Sequence, residues 1–92
     1  MINDPWGVYL VRCCDGTLYC GATNNVDKRV GKHNSGKGAR YTAKRVPVVL
    51  VAWTGCVFTK GDALRFERRV KKLFRSQKVA AVLAVAKRFG GG

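Results

Sequence analysis

Ninety-two residues with 18 Lys and Arg against five Asp and Glu, a formal net charge of +13, suit one small basic domain with little room for a second core. At 47% hydrophobic the chain can bury a core without staples. No apolar run approaches a membrane span, and the opening MINDPWGVYLV lacks a positively charged leader segment, so a cytoplasmic protein with no membrane partner is expected.

Two apolar, β-prone runs, 6–13 and 17–22, flank Asp15-Gly16 and predict a hairpin. A two-residue turn would put Tyr9 and Tyr19 on opposite faces. A three-residue loop, Cys14-Asp15-Gly16, with Gly16 at positive φ in a bulge, sets Tyr19 opposite Val11 and brings both phenols out on one face. TNNVDKRVGKHNSG predicts a helix capped by Thr23 or Asn24, with Asp27 in its first turn and Gly36 just past its end. Its Val26 and Val30 face the core, while Arg29 and His33, also four apart, share another face. KGARYTAKRVP is a basic loop holding Tyr41. VVLVAW, 48–53, predicts a third strand at the centre of the sheet. Thr59 or Asp62 then starts a helix of about 62–75 with Ala63, Phe66, Val70, Leu73 and Phe74 at helical spacing. Ser76 caps a last helix of about 77–88, and FGGG is a frayed tail. The order β-β-α-β-α-α gives a single α/β (α+β) domain over residues 1–92, a small three-stranded antiparallel sheet packed with helices.

The charge is unevenly placed. Residues 1–27 hold Arg12 against Asp4, Asp15 and Asp27, a net of −2, so residues 28–92 carry the remaining +15. A polyanionic partner explains such an imbalance, with nucleic acid the first candidate and a merely soluble basic protein the plain alternative. Lys32, Lys37, Arg40, Lys44 and Arg45 would contact phosphates, and Tyr41 among them either stacks on an unpaired base or packs on the sheet. The four cysteines, Cys13, Cys14, Cys20 and Cys56, form no C-x-x-C pair and have one histidine for company, which argues for reduced thiols rather than zinc.

Glu67 falls at the edge of the apolar arc of its helix, whereas the basic residues of that helix lie outside it. A carboxylate held there needs a partner, either an arginine in a structural ion pair or a hard divalent cation. A phosphodiester hydrolase needs an activated water, a cation for developing charge and often a metal ion, and phenol, imidazole, guanidinium and carboxylate would supply that set if they converge.

GVY at 7–9, YCG at 19–21, Arg29, His33 and Glu67, in that order, resemble the GIY-YIG nuclease superfamily. HNSGKGARYT and ALRFERRVKKL look like its small stand-alone bacterial members, and like the nuclease module of the endonuclease subunit that cuts branched DNA. The resemblance spans about 5–80. It implies an endonuclease acting on DNA, flapped or branched DNA in repair or recombination included, with RNA the other polyanion the charge would suit. Tyr9 would activate water, its phenol acidified by neighbouring cations. Tyr19 would orient the nucleophile or phosphate, Arg29 would stabilise the pentacovalent phosphate, and His33 would assist proton transfer or touch the phosphate. Glu67 would hold a single Mg²⁺ or Mn²⁺.

The chain departs from the family pattern at Val8 and Cys20, each in place of isoleucine, and has no asparagine after Asn34. Added recognition domains are usual in members with known targets, and none fits in this length, so a protein partner could supply target choice. A non-catalytic or partner-dependent basic module of the same fold, binding nucleic acid without cutting it, is the alternative function.

Overall fold

The computed structural model describes residues 4–89. The elements run β1 (Gly7–Arg12), β2 (Leu18–Thr23), α1 (Val26–Asn34), α2 (Arg40–Ala43), β3 (Val49–Trp53), α3 (Lys60–Lys71) and α4 (Arg75–Phe89). The sheet is antiparallel, in the order β2-β1-β3. An α+β architecture of this order was expected, with a three-stranded antiparallel sheet. The centre was not: β1, rather than the VVLVAW strand, is the middle strand. Both runs are continuously apolar, so composition did not separate them. β1 pairs with its hairpin partner on one side and β3 on the other, and its Val8, Tyr9, Leu10 and Val11 are wholly buried.

The hairpin uses the three-residue loop. Val11 pairs with Tyr19 and Arg12 with Leu18, Cys13 N–H donates to the Thr17 carbonyl at 2.8 Å, and Gly16 sits at φ +85°. Tyr9, Val11 and Tyr19 therefore share one face. That face packs on Val26 and Val30 of α1, while Val8, Leu10 and Cys20 on the other face pack on Ala63, Val70 and Val82 of α3 and α4. The sheet is thus sandwiched, with α1 and α2 on the tyrosine side.

Three helix ends differ from expectation. Asn25, not Thr23 or Asn24, caps α1 by accepting from Lys28 N–H at 3.1 Å, because Thr23 Oγ1 is occupied with Asn25 N–H. Thr59 caps α3, which stops at Lys71, short of Leu73 and Phe74. Phe74 is instead the residue before α4, 79% exposed, with its N–H held by the Gln77 side chain at 3.2 Å. This is the returning half of a capping box, and it takes the place expected of Ser76. At the end of α1 Gly36 has φ +82°, with Lys37 N–H bonded to the Lys32 carbonyl and Gly36 N–H to that of His33. That pair of bonds is a Schellman motif. The chain then turns into α2, a short helix inside the stretch expected to be loop.

Gly90 to Gly92 of the expected tail lie outside the described residues; Phe89 is still helical. All four cysteines are free, Cys13 and Cys20 buried, Cys14 and Cys56 exposed. Among the described residues, no helix is long and apolar enough to cross a membrane.

Candidate active site

Tyr9 projects from the middle strand towards α1 and lies across Gly21 of β2. A methyl group on Gly21 would sit 2.5 Å from Tyr9 Cζ and 2.8 Å from Cε2, so only glycine leaves room for the ring. Gly7, the first residue of the GVY run, is constrained the same way, since a Cβ there would meet Trp53 Cη2 at 2.6 Å and Thr54 Oγ1 at 2.8 Å. The glycines of both tripeptides are thus packing requirements, Gly21 of the site and Gly7 of the close approach of β1 to the end of β3.

One turn apart on α1, Arg29 and His33 converge on the phenol. His33 Nε2 and Tyr9 Oη are 2.7 Å apart, and Arg29 Nε donates to Tyr9 Oη at 3.4 Å. Arg29 Nη2 also donates to the Gly38 carbonyl at 3.2 Å. On the far side of the imidazole, Nδ1 lies 2.7 Å from Thr42 Oγ1, which is 3.2 Å from the Ala39 carbonyl. Tyr9, His33 and Thr42 are all fully buried. His33 is core, closed over by Gly38, where a Cβ would approach His33 Cα and Cγ to 2.7 Å.

Burial dominates the electrostatics. It pushes the Tyr9 phenol up to about 12, and the opposing hydrogen bond and charge of Arg29 do not offset it. The acidified phenol expected from the basic surroundings is therefore overturned: desolvation outweighs one guanidinium. Burial also lowers the His33 pKa, with the Arg29 charge acting in the same direction, so the imidazole is neutral at pH 7.

Tyr19 is half-buried. Its ring meets His33 edge-on at 5.3 Å and stacks on Tyr41 at 5.9 Å. Its hydroxyl makes no hydrogen bond among the described residues. Tyr41 packs against Tyr19 on one side, and the Arg45 guanidinium lies 4.0 Å from its ring centroid. Arg45 is further tied to Asp15 at 3.0 Å and to the Tyr41 carbonyl at 2.8 Å, so it serves the fold before any ligand. Lys32, Lys37, Arg40 and Lys44 are exposed. Lys28 joins them, lining with Thr23, Asn25, Arg29 and Lys32 a shallow cleft of about 190 Å³ beside the site. Nothing in the sequence singles it out, because it resembles any solvated helix lysine.

α3 packs on β2 and reaches the site from the sheet's edge. Its Glu67, 15% exposed, pairs at 2.7 Å with Lys71 one turn on, not with an arginine. Lys71 Nζ lies 5.7 Å from the Tyr19 ring, and the Glu67 charge opposes ionisation of Tyr9. Hydrogen bonding to Glu67 raises the Lys71 pKa. Among the described residues no three His, Cys, Asp or Glu side chains gather to hold a metal. A single carboxylate fits a hard ion such as Mg²⁺, which keeps most of its shell as water and phosphate oxygen, and does not fit zinc.

Thr42 went unnoticed in the sequence, where a threonine in a basic stretch carries no signal. Its role is visible only once α2 folds back beneath His33.

The GIY-YIG catalytic domain family matches residues 5–80. A UPF0213 protein of Nitratidesulfovibrio vulgaris is 43% identical over 83 residues, covering 90% of this chain and 74% of the relative. One from Halobacterium salinarum is 48% identical over 73 residues, covering 79% and 94%. The solution NMR structure of a UPF0213 protein from Bacillus halodurans is 42% identical and covers 94% of this chain and 86% of that one, with a TM-score of 0.48. The chain belongs to the GIY-YIG family, a family of nucleases, and is similar to UPF0213 proteins.

Proposed function

We propose that this protein is a divalent-metal-dependent endonuclease that hydrolyses phosphodiester bonds in DNA, with flapped or branched DNA of repair and recombination as its substrate class. The observation that carries the reading is the hydrogen-bonded set Arg29–Tyr9–His33, a guanidinium and a neutral imidazole on one phenol.

With a pKa near 12, Tyr9 is not a standing phenolate, so it acts as a base only by passing its proton on. The attacking water forms a bond to phosphorus and gives a proton to Tyr9 Oη. Tyr9 gives its own proton to His33 Nε2, which becomes imidazolium. The bond from phosphorus to the bridging oxygen breaks, and that oxygen takes up a proton from solvent. Arg29 is the partly exposed group on the phenol; arriving phosphate draws its guanidinium away, which opens Tyr9 to water and puts a bidentate donor on the developing charge. Tyr19 offers its unpaired hydroxyl to the same phosphate. Glu67 would hold Mg²⁺ or Mn²⁺, which supplies Lewis-acid stabilisation of the phosphate when bound. Lys28, Lys32, Lys37, Arg40 and Lys44 contact neighbouring phosphates and carry no sequence information.

A second reading, a basic nucleic-acid-binding module that does not cut or that needs a protein partner, draws on the complete burial of Tyr9 and His33. Labelled linear, flapped and four-way DNA, with Mg²⁺ or Mn²⁺, separates the two. Cutting by the parent that is lost in Tyr9→Phe and Glu67→Gln supports the nuclease. Salt-sensitive binding without cutting above the variants' background supports the module.

A further inference from the structure

We propose that Thr42 is a positioning residue that fixes the tautomer of His33, so that Nε2 always faces Tyr9 as a hydrogen-bond acceptor. A count of buried donors and acceptors leads there. Tyr9 Oη has two partners, Arg29 Nε and His33 Nε2, and Arg29 can only donate. If Nε2 also carried a proton, the phenol oxygen would accept twice and its own proton would point at nothing, in a residue with no exposed surface. A buried unpaired hydroxyl is costly. Tyr9 therefore donates to Nε2. The proton of the neutral imidazole then sits on Nδ1, 2.7 Å from Thr42 Oγ1. Thr42 can accept it because its own hydroxyl proton has an outlet, the Ala39 carbonyl at 3.2 Å. Every group in the row Arg29, Tyr9, His33, Thr42, Ala39 is satisfied in one direction only, and no buried side-chain polar atom among the described residues is left without a partner.

The row joins three elements. Tyr9 comes from β1, His33 from α1, and Thr42 from α2, which brings that hydroxyl to the far side of the ring. Valine at 42 would keep the volume and remove the acceptor. Serine would keep the acceptor and lose only a methyl group.

The inference rests on the nuclease reading for its purpose but not for its test. The chain has a single histidine, so the ¹⁵N-labelled full-length protein, without DNA or metal, gives one imidazole in a long-range ¹H–¹⁵N NMR spectrum. The parent is expected to show a protonated Nδ1 and an unprotonated Nε2, with Thr42→Ser the same and Thr42→Val a mixed or reversed tautomer. A parent with its proton on Nε2 overturns the proposal, and so does a folded Thr42→Val with the parent's pattern. Even if the valine variant does not fold, a parent spectrum with the proton on Nε2 is enough to overturn the proposal. If the protein cuts DNA, Thr42→Val is expected to lower kcat by roughly 10–100-fold with KM little changed, and serine to restore most of it. A fixed Nδ1–H tautomer in a protein that never cuts would sink the nuclease reading and leave the assignment of Thr42 standing.

Discussion

Replacing Gly21 by alanine tests whether the tyrosine is held as tightly as its surroundings imply. The added methyl would lie 2.5 Å from Tyr9 Cζ, where ordinary contact begins at 3.4 Å, so one side must yield by about 0.9 Å. The ring has nowhere to go: Tyr9 is fully buried, with its hydroxyl 2.7 Å from His33 Nε2. Overpacking of this kind costs about 1–3 kcal/mol. Breaking the hydrogen bond and leaving a buried group unpaired adds roughly another 1–3 kcal/mol. A combined loss of roughly 2–6 kcal/mol, at about 5 °C per kcal/mol for a domain of this size, lowers Tm by roughly 10–30 °C. Thermal unfolding followed by circular dichroism reads it. Gly31, exposed on α1, is the internal control, because a methyl group added there would meet nothing within 4 Å. Gly31→Ala should raise Tm, by about 0.5–1 kcal/mol of helix propensity. A Gly21→Ala protein that melts within about 2 °C of the parent would refute the reasoning, because the ring would then have slack that the packing denies it.

Acid should weaken the fold before the carboxylates titrate. His33 has a folded pKa below its ordinary 6.5, so below pH 6.5 the unfolded chain binds a proton that the native state refuses, and stability falls as pH drops. Urea unfolding between about pH 7.5 and pH 5 should show this decline, and His33→Gln should remove the slope in that window. Lys71→Gln is expected to tighten Mn²⁺ binding about fivefold by calorimetry, since the ammonium at 2.7 Å competes for the Glu67 carboxylate; Glu67→Gln should abolish it. Duplex binding should weaken with salt at a slope of about −4 to −5 in log K against log salt if the exposed Lys28, Lys32, Lys37, Arg40 and Lys44 each meet a phosphate. Removing any one should flatten the slope by about 0.9, and a slope near zero would show that these residues do not touch the backbone.

What could be read in the sequence was what depends on neighbours along the chain. Asp15-Gly16 announced the hairpin and left two registers open, of which the three-residue loop with Gly16 at positive φ is the one found, and the four-residue spacing of Arg29 and His33 announced a common helix face. Thr59 and Gly36 marked helix ends by rules that act within one turn. The misreadings share another origin. Leu73 and Phe74 continue the apolar spacing of α3, so periodicity alone runs past a helix that in fact stops at Lys71, and Phe74 is taken up as the residue before α4, its N–H held by the Gln77 side chain. The centre of the sheet depends on which strand finds two partners, a tertiary fact absent from either apolar run. The sign of the Tyr9 shift is a contest between burial and charge; the charges are visible in the sequence and the burial is not. Thr42 is the extreme case, a residue defined wholly by what lies above it.

Asp15, at the tip of the hairpin, accepts from Thr17 within its own turn and holds Arg45 at 3.0 Å, while Cys14 N–H is bonded to the Arg45 carbonyl at 3.0 Å. Hairpin tips are ordinarily where a protein accepts inserted sequence, an epitope or a fused domain, without complaint. Here the tip is tied to the segment that follows α2, so a spacer placed between Cys14 and Gly16 would disturb the contacts of Asp15 and Cys14 with Arg45, whose own N–H is bonded to the Thr42 carbonyl. Loop length at this corner is consequently not free to drift, and anyone seeking a permissive attachment point should look elsewhere on the surface.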